Sequence, residues 1–193
     1  MRPDILTMTG RYFNFMTPEQ SHFDINDVAH ALSNICRFCG HTQRFYSVAQ
    51  HSVYVSMLVP PEDALAGLLH DASEAFVGDV AKPLKRLLPD YSVIEARVER
   101  AVFERFGLPH KLPVSVKIAD RYMLHVEQRD LMAKHDDVWE ASRDAEESAA
   151  PLPVDFPDRI IPMLPDEAKV FFLQRYEALT RSQLEAFMQA EAQ

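Results

Sequence analysis

LLHDASEAFVGD, residues 68–79, sets ionisable side chains among leucines and a phenylalanine. Together with the preceding PPEDALAG, its apolar residues repeat at intervals of three and four, which predicts one helix over residues 60–76 that stops at a glycine. His70, Asp71 and Glu74 then lie within a helix that is otherwise apolar enough to be buried. Buried charge is costly unless a metal ion, hydrogen-bonded partners or water in a cleft compensates it. The rest of the chain must therefore supply compensating groups.

Helical patterns flank this stretch on both sides. Asp24 is placed to cap a helix over residues 25–38, and an S-x-x-Q capping box at Ser47 opens another over residues 48–59. The apolar spacing predicts further helices over residues 92–106, 113–133 and 165–189. At the N-terminus, β-branched and aromatic residues on both sides of Gly10 favour a small β-hairpin. The predicted fold class is all-α, a compact helical bundle with a small N-terminal β-hairpin.

Composition narrows the class of protein. The 193 residues, 47% of them hydrophobic, suffice for one sizeable core, so we expect a single domain over residues 1–193. No apolar run approaches the roughly 18 residues of a membrane span, and the N-terminus lacks a signal-peptide pattern. Cys36 and Cys39 have no second pair with which to form a zinc site, and we expect them to be reduced in a cytoplasmic protein. The net charge of −9 argues against a nucleic-acid polymer as partner, because such binding depends on Lys and Arg.

Candidate metal ligands lie on three separate predicted helices: His51, His70, Asp71 and Asp120. Two imidazoles and two carboxylates suit one divalent transition metal such as manganese, cobalt, nickel, iron or zinc. On a six-coordinate ion, these ligands leave positions for water and substrate. A bound metal lowers the pKa of its water and polarises a phosphoryl oxygen, so such a site can cleave a phosphate ester without a nucleophilic serine or cysteine.

These residues resemble the H…HD…D signature of the HD-domain metal-dependent phosphohydrolases. The resemblance extends to the HDxxE and GDxxxPxK spacings in HDASEAFVGDVAKPLK and to CRFCGHTQRFYSVAQHS, in which an Arg-aromatic pair precedes the first ligand. The pattern is similar to a small nucleotide-acting branch that contains bacterial 5′-deoxynucleotidases, phage dATP triphosphohydrolases and the oxetanocin-type phosphohydrolase. It covers roughly residues 25–132 and implies one HD domain, with the C-terminal helix packing on this motif core.

Chemistry and resemblance together assign roles to the acidic residues. His51, His70, Asp71 and Asp120 are expected to hold the metal. Glu74 lies one helical turn after His70, so its carboxylate can reach a metal-bound water without being a ligand, which makes it the expected general acid/base.

The remaining expected contacts belong to the substrate. Asp79 matches the GD of the family, and we expect it to orient substrate or water. An acidic protein needs a local cationic pocket for a phosphate, which Arg37, Lys82 and Lys85 can supply. Phe38 occupies the aromatic position and is expected to pack on the sugar or base.

The expected function is a metal-dependent phosphohydrolase in which a metal-bound water attacks the phosphate of a (deoxy)nucleotide. It is either a 5′-nucleotidase or a deoxynucleoside triphosphate triphosphohydrolase, and the residues leave this choice open. The alternative is a catalytically weak HD domain that senses or binds nucleotides, which the presence of Glu74 beside all the ligands argues against. The small branch commonly pairs, and the apolar C-terminal helix offers a face, so a homodimer is expected.

Overall fold

The computed structural model describes residues 2–135, 153 and 156–191, and within these the chain is mostly helical. Strands β1 (Asp4–Leu6) and β2 (Tyr12–Asn14) pair antiparallel and form the N-terminal hairpin that the sequence predicts. The α-helices are α1 (Ile25–Asn34), α2 (Val48–Leu58), α3 (Ala64–Leu69), α4 (Glu74–Val77), α5 (Lys82–Lys85), α6 (Pro89–Arg105), α7 (Val114–Leu131) and α8 (Pro165–Glu191). The predicted helical class with its hairpin is confirmed. Of the described helices, none has the length and apolar content to cross a bilayer.

Helix α2 is the centre of the packing. Every residue from Val48 to Ser56 is buried, because apolar side chains occur on all faces of this helix. It contacts α1, α3, α7 and α8, and α8 inserts Ala168 and Phe172 into the core. A functional side chain on α2 is therefore held from several sides.

The hairpin is anchored by aromatic packing. Phe13 of β2 stacks on Phe76 of α4 with ring centroids 3.8 Å apart, and Phe23 meets both rings edge-on. Asp27 of α1 accepts hydrogen bonds from the backbone N–H and hydroxyl of Thr9, both at 2.9 Å. A two-stranded hairpin is marginal by itself, so these contacts are what fix it. In turn the hairpin supports α4, which begins beside the candidate site.

The predicted single helix over residues 60–76 is wrong. Helix α3 ends at Leu69 and α4 begins at Glu74, and between them hydrogen bonds join residues three apart, such as Glu74 N–H to the Asp71 carbonyl at 3.0 Å. Such bonding is that of a 3₁₀ turn, which is tighter than an α-helix. His70 and Asp71 therefore lie in a turn between two helices and not in the middle of one.

The predicted helix over residues 25–38 also ends early. Helix α1 stops at Asn34, and a separate 3₁₀ turn follows at Arg37–Gly40. Within it Phe38 and Cys39 have φ of 54° and 52°, a left-handed conformation that residues other than glycine rarely adopt. Arg37 therefore lies in this turn and not in α1.

The helix caps are largely as predicted. Asp24 accepts from the Asn26 N–H at 2.8 Å and forms a capping box, and Ser47 accepts from the Gln50 N–H at 3.2 Å. The Gln50 side chain does not complete the second box. It donates to the Ile161 carbonyl at 2.8 Å and accepts from the Met163 N–H at 2.9 Å, so it fixes the segment that leads into α8.

Candidate metal centre

Three parts of the chain bring polar side chains to one point. His51 comes from α2, His70 from the turn after α3, and Asp120 from α7. One ligand atom from each lies within 4.8 Å of the other two. His51 Nε2 is 3.2 Å from Asp120 Oδ1 and 3.4 Å from His70 Nε2, and His70 Nε2 is 3.8 Å from Asp120 Oδ1.

The two shorter distances fit a divalent ion directly, and the third, 3.8 Å, corresponds to a wider angle between the two ligands at the ion. For an ion held at about 2.1 Å by each ligand, neighbouring ligand atoms are about 3.0 Å apart at a right angle and about 3.4 Å apart at a tetrahedral angle. Imidazole nitrogens combined with carboxylate oxygens are donors that divalent transition metals accept. The His51–His70–Asp120 group can therefore hold a metal ion.

Asp71, the fourth predicted ligand, borders the same point. Its Oδ2 lies 3.1 Å from His70 Nε2 and 3.8 Å from His51 Nε2. It is also 3.6 Å from Nη1 of Arg37. The turn between α3 and α4 thus presents two adjacent side chains to one centre, which a regular helix would splay by about 100°.

Both histidines are oriented by hydrogen bonds at the other ring nitrogen. His70 Nδ1 lies 2.8 Å from the Gly67 carbonyl oxygen, which can only accept, so Nδ1 carries the proton. His51 Nδ1 lies 2.6 Å from Oε1 of Glu127. With Nδ1 donating, the neutral form of each ring presents its Nε2 lone pair to the shared centre, the arrangement expected of metal-ligating histidines.

Glu127 is a site residue that the sequence reasoning missed. It lies on α7, is fully buried, and accepts from Arg37 Nη2 at 3.1 Å and Nε at 3.3 Å through Oε2. A signal was present, because Glu127 follows Asp120 by two helical turns and so shares its face of α7. The HDxxE and GDxxxPxK motifs end well before residue 127 and so do not include Glu127.

The electrostatics of the cluster favour positive charge at its centre. Burial by itself lowers the pKa of His70, but Asp71 and Asp120 outweigh it and hold the pKa well above its usual value. Burial raises the pKa of Asp120, yet its contacts with His51 and His70 hold that pKa well below its usual value. For His51, burial and Arg37 oppose protonation, and the Glu127 and Asp120 carboxylates raise the pKa nonetheless.

Glu74 has a buried oxygen that lacks a partner. Its Oε2 is inaccessible to solvent and has no hydrogen-bond partner among the described residues. Burial, together with the negative charges of Asp71 and Asp79, raises the pKa of Glu74 well above its usual value. Burial is also the main cause of the raised pKa of Asp79. An unpaired buried acceptor is costly, so Glu74 is suited to bind a proton, a water or a ligand.

The expected substrate contacts are distributed unevenly. Arg37, only 11% exposed, reaches the cluster, and the ring of Phe38 lies 5.3 Å from its guanidinium. Lys85 is paired with Glu95 of α6 at 2.6 Å, and Lys82 is exposed at the start of α5. The structure therefore places Arg37 at the centre and directs Lys85 toward α6.

The centre is closed on one side and open on the other. His51 is fully buried and His70 nearly so, whereas the side chain of Asp120 is 45% exposed. Asp120 is therefore the most solvent-exposed side chain of the cluster.

Comparison with known proteins gives relatives along most of the chain. No protein-family model matches it. Over 176 residues it is 40% identical to the uncharacterized protein YfdR of Escherichia coli K12, an alignment that covers 91% of this chain and 95% of YfdR. It is also 36% identical over 122 residues to the uncharacterized protein RCAP_rcc00048 of Rhodobacter capsulatus, covering 58% and 62% of the two chains.

Proposed function

The chain belongs to the family of the Escherichia coli protein YfdR, and from this premise and the geometry of the centre we propose that it is a metal-dependent phosphohydrolase acting on nucleotides. In this proposal it is an HD-domain phosphohydrolase of the small nucleotide-acting branch. The observation that carries the proposal is the convergence of His51, His70, Asp71 and Asp120, with Glu74 adding a buried Oε2 that has no partner among the described residues.

The four converging residues would hold a divalent metal. When bound there, such an ion supplies a Lewis acid for a phosphoryl oxygen and makes a nearby water more acidic. The orientation of both histidines through Nδ1 supports this assignment, because it leaves each Nε2 free to ligate.

Glu74 would move the proton. In hydrolysis, a water oxygen bonds to phosphorus, the bond from phosphorus to the leaving oxygen breaks, and a proton passes from the water to the leaving oxygen. A carboxylate whose pKa is raised well above its usual value can take up that proton and return it near neutral pH. Asp79, next to the glycine that ends α4, would orient the water or substrate.

Arg37 would bind the phosphate. Its planar guanidinium offers paired N–H donors that match phosphate oxygens, and it is held at the centre by Glu127 and Asp71. Phe38 adjoins Arg37 and would pack on the sugar or base. Lys82 is exposed and can reach toward a phosphate, whereas Lys85 does so only by leaving Glu95.

The alternative is a nucleotide sensor that lacks turnover. Glu74 favours catalysis over sensing, because burying a carboxylate oxygen without a partner lowers the stability of the fold and a sensor gains nothing from it.

A panel of substrates tests the proposal. The protein is loaded with Mn²⁺ or Co²⁺ and incubated with deoxy- and ribonucleoside mono-, di- and triphosphates, with chelator-treated protein as the control. Release of inorganic phosphate assigns a nucleotidase, and release of tripolyphosphate assigns a triphosphohydrolase. Metal-dependent nucleotide binding without either product assigns the sensor and refutes the hydrolase.

A further inference from the structure

Glu127 has no part in the proposed reaction, yet it sits fully buried at the centre of the site. Its two oxygens serve different partners. Oε1 lies 2.6 Å from His51 Nδ1, and Oε2 lies 3.1 Å from Arg37 Nη2. Burying a carboxylate costs desolvation free energy, and the two contacts together compensate that cost.

The contact with His51 fixes a metal ligand. Because Oε1 of Glu127 accepts a hydrogen bond from His51 Nδ1, the neutral imidazole is held in the tautomer whose Nε2 lone pair faces His70 and Asp120. A carboxylate at that position also makes the ring a better electron donor to a metal.

The contact with Arg37 keeps a phosphate-binding group in place. Arg37 begins a turn whose next residues, Phe38 and Cys39, have left-handed backbones, and only a well-supported turn holds that conformation. Without Glu127, the guanidinium would have Asp71, 3.6 Å away, as its nearest acidic partner. It would then compete with the metal for the Asp71 carboxylate.

We propose that Glu127 is a positioning residue that couples metal binding to phosphate binding, holding His51 with one oxygen and Arg37 with the other. The inference rests on the proposed function, because it assigns Arg37 to the phosphate. It predicts that loss of the Glu127 charge weakens the binding of both the metal and the phosphate, although Glu127 contacts neither of them.

Glu127→Gln tests this coupling in the full-length protein, with two probes that do not require turnover. Co²⁺ affinity, measured by competition with a chromophoric chelator, is expected to fall about 10- to 100-fold, the usual effect of losing such a partner of a metal ligand. The visible absorption bands of bound Co²⁺ are expected to shift. The affinity of the Co²⁺-loaded variant for inorganic phosphate, measured by calorimetry, is expected to fall about tenfold.

Asp27→Asn is the matched control, since Asp27 is also a buried carboxylate but serves the hairpin. It is expected to lower the melting temperature and leave both affinities unchanged. Should Glu127→Gln not fold, Glu127→Asp keeps the charge on a side chain one methylene shorter, which cannot reach both partners, and at least one affinity must fall.

The outcomes separate the two claims. Wild-type affinities in a folded Glu127 variant overturn the inference while hydrolysis by the wild type upholds the proposed function. A fall in Co²⁺ affinity with unchanged phosphate affinity in Glu127→Gln overturns the coupling. A wild type that binds Co²⁺ and phosphate without hydrolysing nucleotides refutes the hydrolase, and the paired losses in Glu127→Gln still support the coupling.

Discussion

Glu74 is the single side chain on which the proposed chemistry depends most. Glu74→Gln keeps the size of the side chain and removes the group that accepts a proton. General acid/base groups typically contribute about 10²- to 10⁴-fold, so kcat is expected to fall at least about 100-fold. Co²⁺ affinity should stay near that of the wild type. Retention of most of the activity would move the proton-transfer role to Asp79.

The same substitution, although it lowers activity, is expected to raise the stability of the metal-free protein. The pKa of Glu74 is raised above its ordinary value of 4.5 by burial, so ionisation destabilises the folded metal-free protein. This loss of folding stability is absent below about pH 4.5, and it grows as the pH rises above that value. Metal-free Glu74→Gln should therefore melt at a higher temperature than the wild type at pH 7 to 8, and the gap should narrow toward pH 4.5. A lower melting temperature for the variant at pH 7 would contradict the burial of an ionisable Glu74.

At the scale of single residues, the sequence identifies side chains that occur in short motifs and misses those whose role comes from contacts with distant parts of the chain. The histidine–aspartate doublet and Glu74 are close in the chain, and their spacing can be read directly. Glu127 acquires its role from His51, 76 positions away, and the one local signal for it is the helix face that it shares with Asp120. Lys85 fits a motif, but its partner Glu95 comes from another helix.

At the scale of elements, helix positions were predictable and the short turns were not. Apolar residues at intervals of three and four fit an α-helix and also a chain that alternates α-helix with 3₁₀ turn, so the break between α3 and α4 has no distinct pattern. The left-handed pair Phe38–Cys39 contains no glycine, so the residue types do not indicate its conformation. Both deviations occur where site residues are presented.

Gly67 controls how closely α2 and α3 approach. A Cβ at this position would lie 3.1 Å from Ser56 Cα and 3.2 Å from Val59 Cγ2, which is too tight for ordinary packing. Gly67→Ala should therefore push the two helices apart and lower the free energy of unfolding by about 1–3 kcal/mol in urea titrations. Because the Gly67 carbonyl also orients His70, Co²⁺ affinity should fall as well. Unchanged or raised stability would mean that Ser56 and Val59 give way at little cost, so that the helix-favouring effect of alanine offsets the crowding.

At the scale of the whole molecule, the fold class followed from the sequence because most helices are long enough to show their period. The hairpin was predictable from a glycine between β-branched and aromatic residues, and its aromatic anchoring on α4 became visible only in three dimensions. Helix α8 packs against α1, α2 and α3, so the last helix contacts the N-terminal half of the chain.

The homodimer stays a prediction. Helix α8 presents exposed apolar side chains at Val170, Leu184 and Met188, which is the kind of face that a second copy can cover. Light scattering at micromolar concentration is expected to give twice the 22.1 kDa mass of the chain. A species of the single-chain mass alone would contradict this.

The most direct test is the metal content of the purified protein after loading with Co²⁺ and removal of the excess. The geometry of the centre predicts one equivalent of Co²⁺ per chain in the wild type and in the Asp27→Asn control. His70→Ala removes one of the clustered donors and should bind less than about a tenth as tightly, since the remaining ligands cannot close the site. No stoichiometric Co²⁺ in the wild type, or the same affinity in a folded His70→Ala protein, would contradict a metal centre at this cluster.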